Sequence, residues 1–253
     1  MSYIVQKWLC VVIIEIMQTV KFNPISQLVY DTVPLPKPTR DSMPEWYKKA
    51  PSFQTKTPQI DENGKANKAL KLCQPFMDAM SSGYVQESWQ DIDIQKTFLE
   101  DGQIQIKYVY TEEPEIMSYR EQPSVPIGEE FYPIEFTFHP VWIPELPEGW
   151  SMLYMTPLNR VDLPFQFMSG IVDSDSFTQS EERSNIPFYI KKSFSGVIPK
   201  GTPLVQMIPV RRENWKAVAN EYNAELQNEA IQTVRQHPWG GYRKHHWTKK
   251  NYK

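Results

Sequence analysis

Between residues 132 and 210 the chain reads IEFTFHPVWI (134–143), SMLYMTPL (151–158), PFQFMSGIV (164–172), IPFYIKKSF (186–194) and TPLVQMIPV (202–210). Each run is short and apolar, and Pro or Gly separates it from the next. Such runs predict strands; a helix would show a 3.6-residue period sustained over roughly ten or more residues. The region therefore predicts a mainly β (α+β) fold with a sandwich or barrel-like core of short strands. Val172, Leu204, Val205 and Ile208 are expected in that core, with one amide, Gln206, embedded among the last three. No fixed-period repeat is visible.

The whole chain has 253 residues, enough to bury a core without disulfide or metal staples. Its 27 Lys and Arg against 30 Asp and Glu leave a net charge of -3. That balance excludes a wholesale polyelectrolyte binder and leaves room for a local basic patch. The 22 Pro against 10 Gly, with 12 Phe, 8 Trp and 13 Tyr, describe strands joined by rigid turns around a core filled with rings. Two cysteines, Cys10 and Cys73, make no disulfide framework and lack C-x-x-C spacing. The four histidines show no H-x-x-x-H, so no metal site built from His and Cys is expected.

Outward from the β region, four segments are distinguished. Residues 1–33 form an N-terminal segment whose apolar run WLCVVIIEIM (8–17) is interrupted by Glu15. The run is about half the roughly 20 residues of a membrane span, so no membrane partner is expected. Residues 34–60 form an extended proline-rich arm, with Pro44 opening one helical turn and Trp46 and Tyr47 pinning the arm to the body. Residues 61–235 form a single globular domain with its β core at about 84–210. Inside it, Leu70, Cys73, Met77 and Met80 make a helical stripe directed at the core, which Pro75 either kinks or starts. A strand over 84–98 and the alternating Ile104, Ile106, Tyr108 and Tyr110 flank the turn Glu100-Asp101-Gly102, which reads as a hairpin.

Residues 213–236 predict a long amphipathic helix with Trp215, Val218, Tyr222, Leu226 and Val234 on one face, for a sheet or another subunit. Residues 237–253 are a basic aromatic tail, HPWGGYRKHHWTKKNYK. Cations interleaved with rings can hold phosphates and stack bases, so 235–253 is a candidate nucleic-acid contact; the alternative is a tail whose rings fold back on the body.

One stretch carries candidate chemistry. SGIVDSDSF (169–177) ends an apolar strand in two carboxylates, Asp173 and Asp175, which would share a face if the strand continued. Pro199-Lys200-Gly201 then turns the chain into the strand that holds Gln206. This order resembles the deoxyuridine triphosphatase (dUTPase) family, whose fold is the β-clip. The family has a Gly-apolar-Ile-Asp-x-Asp segment followed by a Gly turn into apolar-Ala-Gln-apolar. The resemblance implies a β-clip-like core, with Asp173 where the family orients its catalytic water and Gln206 beside the nucleotide. It also implies Arg160 near a phosphate-gripping position, and a trimer that shares sites between subunits. The sequence departs from the family at Ser176, where an aromatic is expected, and carries neither the family's upstream Gly-Tyr-Asp nor its glycine-rich C-terminal arm.

From about Pro34 to Trp215 the chain also resembles uncharacterised proteins of tailed bacteriophages. They share PEWYKKAPSF (44–53), CQPFMDAMSSGY (73–84), PLNRVDLPF (157–165) and SGIVDSDSF in the same order. This implies a phage-type protein, located in an infected bacterial cell or in the virion. The first expectation for function is a protein that binds a small phosphorylated ligand such as a nucleotide, without catalysis. Asp173 is its one candidate catalytic residue. Gln206, Arg160, Asp175, Lys191 and Lys192 are the ligand contacts, and Phe165, Phe167 and Tyr189 the apolar wall. No cofactor is expected unless hydrolysis brings in magnesium. The alternative is a structural or interaction protein of a phage particle, docking on copies of itself or on other phage proteins through arm, helix and tail. An active dUTPase-like hydrolase is the third reading.

Overall fold

The structure is a computed structural model that describes residues 18–100, 104–120, 125–178 and 185–253. The run at 8–17, Cys10 and the Asp101-Gly102 tip of the expected hairpin lie outside the described residues. In chain order the strands begin with β1 (Lys21–Pro24), β2 (Lys37–Pro38), β3 (Tyr84–Glu87), β4 (Ile92–Phe98) and β5 (Ile104–Val109). Then come β6 (Met117–Tyr119), β7 (Phe136–Phe138), β8 (Trp142–Glu145), β9 (Trp150–Met155) and β10 (Phe165–Phe167). The last are β11 (Gly170–Val172), β12 (Ile186–Ile190), β13 (Gly196–Ile198) and β14 (Pro203–Arg211). The helices are α1 (Gln27–Thr32), α2 (Glu45–Lys49), α3 (Gln74–Ser81), α4 (Ala224–Arg235) and α5 (Gly241–His245). The protein is mainly β, as its short apolar runs imply.

The strands pair antiparallel in four sheets, ordered β1-β8, β10-β12-β7-β6, β11-β9-β14-β3-β2 and β13-β4-β5. The nine-residue β14 is the axis of the largest sheet, paired with β9 on one side and β3 on the other. Leu204 and Val205 are buried there, while Ile208 and Val172, expected inside, are only half-buried. In the second sheet, register stacks Phe167 of β10 on Phe188 of β12, and Phe188 on Phe136 of β7. The first two rings lie 4.9 Å apart and the second two 5.5 Å. Ring pairs of this kind add about 0.5–1.5 kcal/mol each beyond their buried area. β4 and β5 pair over six residues from Asp93↔Val109 to Phe98↔Ile104, as the alternation of 92–110 requires.

The proline-rich arm is stitched on as an edge. β2 pairs with β3, and its Pro38 sits where a missing N–H costs no ladder bond. Farther along, Trp46 Nε1 donates to Asp162 at 3.0 Å and Tyr47 Oη to the Lys71 carbonyl at 3.2 Å.

Two helices differ from what periodicity suggests. Residues 70–72 form a separate 3-10 turn and α3 begins at Gln74, because Pro75 fits only the first turn of a helix. The stripe therefore breaks: Met80 is buried, whereas Leu70 is 64% exposed. The helix expected over 213–236 begins only at Ala224, where Asn223 Oδ1 accepts the Leu226 N–H at 3.0 Å as a cap. Residues 214–223 before it have no regular structure.

Gly83 joins α3 to β3 with φ of 71°, and a Cβ there would overlap the Met207 carbonyl oxygen of β14. Gly83→Ala therefore meets both a left-handed backbone and a clash with the central strand. It is expected to lower stability by roughly 2–4 kcal/mol, seen as a fall in the urea midpoint. A midpoint shift worth less than about 0.5 kcal/mol would show that this contact does not constrain the sheet.

Candidate functional site

Asp173 and Asp175 come together, but not through strand alternation. β11 ends at Val172 and the chain turns, with the Ser176 and Phe177 amides both donating to the Asp173 carbonyl at 3.2 and 2.9 Å. What gathers the two side chains is Arg212, the residue after β14. Its Nη1 lies 3.2 Å from Asp173 Oδ1 and 3.0 Å from Asp175 Oδ1, and its Nη2 donates to Asp175 Oδ2. The Gly149 N–H donates to Asp175 Oδ2 at 2.8 Å, and Ser151 Oγ to Asp173 Oδ1 at 2.7 Å. The guanidinium, then the Gly149 amide, hold the Asp175 carboxyl down at about 2. The cluster clasps the ends of β9, β11 and β14. With an arginine already at their shared face, the two carboxylates do not fit a magnesium ion.

Gln206 lies elsewhere. It is 0% exposed, and its amide is fully used inside the protein. Oε1 accepts from the Leu158 N–H at 2.8 Å, and Nε2 donates to the carbonyls of Ala79 and Ser82 at 3.0 and 2.7 Å. β9 separates its strand from β11.

Arg160 follows a turn closed by Asn159 at φ of 60°, a conformation that Asn tolerates. Its Nε and Nη2 clamp Asp162 at 2.9 and 2.8 Å, and Nη1 reaches the Ser42 carbonyl at 3.3 Å. Burial alone would raise the Asp162 carboxyl, but hydrogen bonds from Arg160 and Trp46 outweigh it and hold it below the usual range. Arg160 thus fastens the arm. Lys191 Nζ donates to the Leu163 carbonyl at 2.7 Å, while the Lys192 side chain is exposed. Phe165, Phe167 and Tyr189, expected as a pocket wall, are buried in the core. Arg160 does line a shallow cleft of about 400 Å³ with the Pro199-Lys200-Gly201 turn, but neither Asp173 nor Gln206 reaches it. The six candidates therefore form no common site.

A larger feature lies where the arm and the tail meet α3. The tail folds back: Trp239 sets its ring edge-on to Phe53 at 5.6 Å, and Tyr252 does the same to Tyr84 at 5.9 Å. Trp247 Nε1 and Lys250 Nζ donate to Asp78 Oδ2 at 2.8 and 2.7 Å. Burial pushes Asp78 up, yet the bonds from Lys250, Gln74 and Trp247 prevail and keep it charged. Between arm, α3 and tail lies a groove of about 970 Å³. Trp46, Leu70, Leu72, Trp239 and Tyr242 line it and are all exposed. Lys68, Lys71 and Arg243 are its lining cations, and among the described residues no carboxylate lines it. A second cavity of about 660 Å³ adjoins it, sharing Gln54 and Lys68 and running to Ala230 and Ile231 of α4. Leu70 and Leu72 had a signal in sequence, Pro75, which frees them from the helix. The meeting of Trp239 with Phe53 had none, because it depends on how the tail returns.

No family model matches the chain, and no curated protein matches it.

The ion cluster has a defined pH signature. Asp175 is held near 2 in the fold against about 3.9 unfolded, so its contribution is complete above pH ~4 and is lost as pH falls through ~2. Asp175→Asn should melt below wild type at pH 7 and lose less stability than wild type between those limits. Equal acid sensitivity of the two proteins in thermal melts would show that Arg212 does not depend on this carboxylate.

Proposed function

We propose that the protein is an interaction component of a phage-type particle, joining chains by docking and not by turning over a nucleotide. The observation that carries this reading is the groove: Trp46, Leu70, Leu72, Trp239 and Tyr242 converge between arm, α3 and tail and all stay exposed there. An apolar floor with cations around it fits a protein segment that is itself apolar on one side and acidic on the other. The resemblance to tailed-phage proteins supports the setting, and the placement of Asp173 and Gln206 supports docking over hydrolysis. Asp173 faces Arg212 and Ser151, and Gln206 is occupied by α3. A second reading, the binding of a small anionic ligand such as a nucleotide, has the Arg160 and Lys200 cleft in its favour.

Two measurements separate these readings. Phosphate release from deoxyuridine triphosphate with magnesium should stay at background for wild type and for Asp173→Asn, and nucleotides should leave the melting temperature unchanged. Turnover that Asp173→Asn abolishes would replace this reading with the hydrolase, and a nucleotide-dependent shift lost in Arg160→Ala would replace it with the pocket. In parallel, dilute protein should bind an environment-sensitive apolar dye, and Leu70→Asp/Leu72→Asp should remove most of the signal. An undiminished dye signal in that variant would show that the groove is not an apolar docking surface.

A further inference from the structure

The segment after β14 is the other exposed apolar surface. Every residue from 211 to 232 is exposed. Among them Trp215 is 86% exposed, Tyr222 83%, Val218 71% and Leu226 64%. Exposed apolar residues scattered singly are ordinary; four in one segment at a regular spacing mark an interaction surface. Their spacing of three, four and four would place them on one stripe if α4 were extended backwards through Asn223. Both ends of this excursion are fixed to the body, at Arg212 by the Asp173 and Asp175 cluster and at Trp239 by Phe53. Between them residues 214–226 form an exposed amphipathic strap, while Ala230 and Ile231 farther along α4 line the second cavity against the body.

We propose that residues 213–229 of one copy occupy the groove of a second copy of this chain. The inference rests on the groove reading of the previous subsection and names its occupant. Three observations favour a second copy. The strap and the groove both present exposed apolar side chains. The charges also complement. Among the strap residues 214–226 one cation, Lys216, is set against Glu221 and Glu225, while the groove presents Lys68, Lys71 and Arg243 without a lining carboxylate. Finally, every copy carries both halves, so the partner is always present at the same concentration. Strap and groove are different surfaces on each copy. The contact closes as a pair where two copies exchange straps reciprocally, and otherwise repeats head-to-tail into a ring or a filament.

Sedimentation of the full chain tests this directly. Wild type should self-associate with rising concentration, to a dimer or beyond. Trp215→Ser/Tyr222→Ser removes the strap's rings and Leu70→Ser/Leu72→Ser the groove's leucines. All four residues are exposed, so both variants should melt near wild type, and each should associate at least roughly tenfold more weakly. Mixed together, they should form a heterodimer and stop there, because one intact groove meets one intact strap and the other two surfaces are disabled. Monomeric wild type at its highest soluble concentration would overturn the proposal. So would wild-type association that neither variant weakens, or mixed variants that stay monomeric. Association that nuclease treatment abolishes would assign the groove to nucleic acid and overturn it as well. Dye binding to the groove without self-association would defeat this inference while leaving the docking reading intact.

Discussion

A single buried amide holds together the parts on which the molecule's outer architecture rests. Gln206 sits in the middle of the central strand and uses its oxygen and both N–H bonds on three backbone groups, one at Leu158 and two at the C-terminal end of α3. Each bond contributes about 1 kcal/mol net, but an apolar residue in its place would strand two carbonyls and one N–H, each at about 1–3 kcal/mol. The two carbonyls belong to the last turn of α3, where helical hydrogen bonding leaves acceptors without partners. The side chain therefore serves as a C-terminal cap delivered from a strand. It fixes α3 against the sheet, and Gly83, at the exit of α3, permits the close approach that this bond needs.

From α3 the consequences spread outward. Asp78, one turn before the cap, receives Trp247 and Lys250 from the tail. Lys71, just ahead of α3, donates from Nζ to the Lys48 carbonyl of the arm at 2.6 Å, and Phe76 in the first turn of α3 stacks on Tyr47 at 6.0 Å. Arm and tail are the two parts of the chain without a core of their own, and both are organised by one eight-residue helix. The groove is the gap left between them. Its shape thus depends on side chains far from its surface, Gln206 below α3 and Arg160 behind Trp46.

How much of this is legible in sequence follows from the range of each interaction. Strand identity comes from patterns over a few residues, so the β core, the β4 and β5 pairing and the buried Gln206 can all be read along the chain. Asp173 and Asp175 can be recognised as a pair for the same reason. Their partner cannot, because Arg212 lies 37 residues beyond Asp175 and nothing local marks it. A short carboxylate motif reads alike whether it orients water or clasps an arginine, and the dUTPase-like order of residues does not distinguish the two. The helix over 213–236 fails for a different reason. Periodicity reports which residues could share a face, but a helix forms where that face finds something to cover, and isolated amphipathic helices are marginal. Within one molecule the stripe has nothing to cover, and Asn223 caps the shorter helix.

That mismatch connects local structure to function. A stretch with helical periodicity and no local structure is what coupled folding and binding would leave in the unbound chain. Extending α4 backwards would cost the Asn223 cap, worth about 1 kcal/mol, together with the backbone entropy of residues 214–223. Burying a tryptophan, a tyrosine, a valine and a leucine offsets that cost only if a surface accepts them, at about 1.5–3 kcal/mol for each large apolar side chain. The strap would then be ordered when docked and unstructured when free, with the balance set by the concentration of the partner. In the proposed assembly such a component would stay separate while dilute and join its neighbours where copies accumulate.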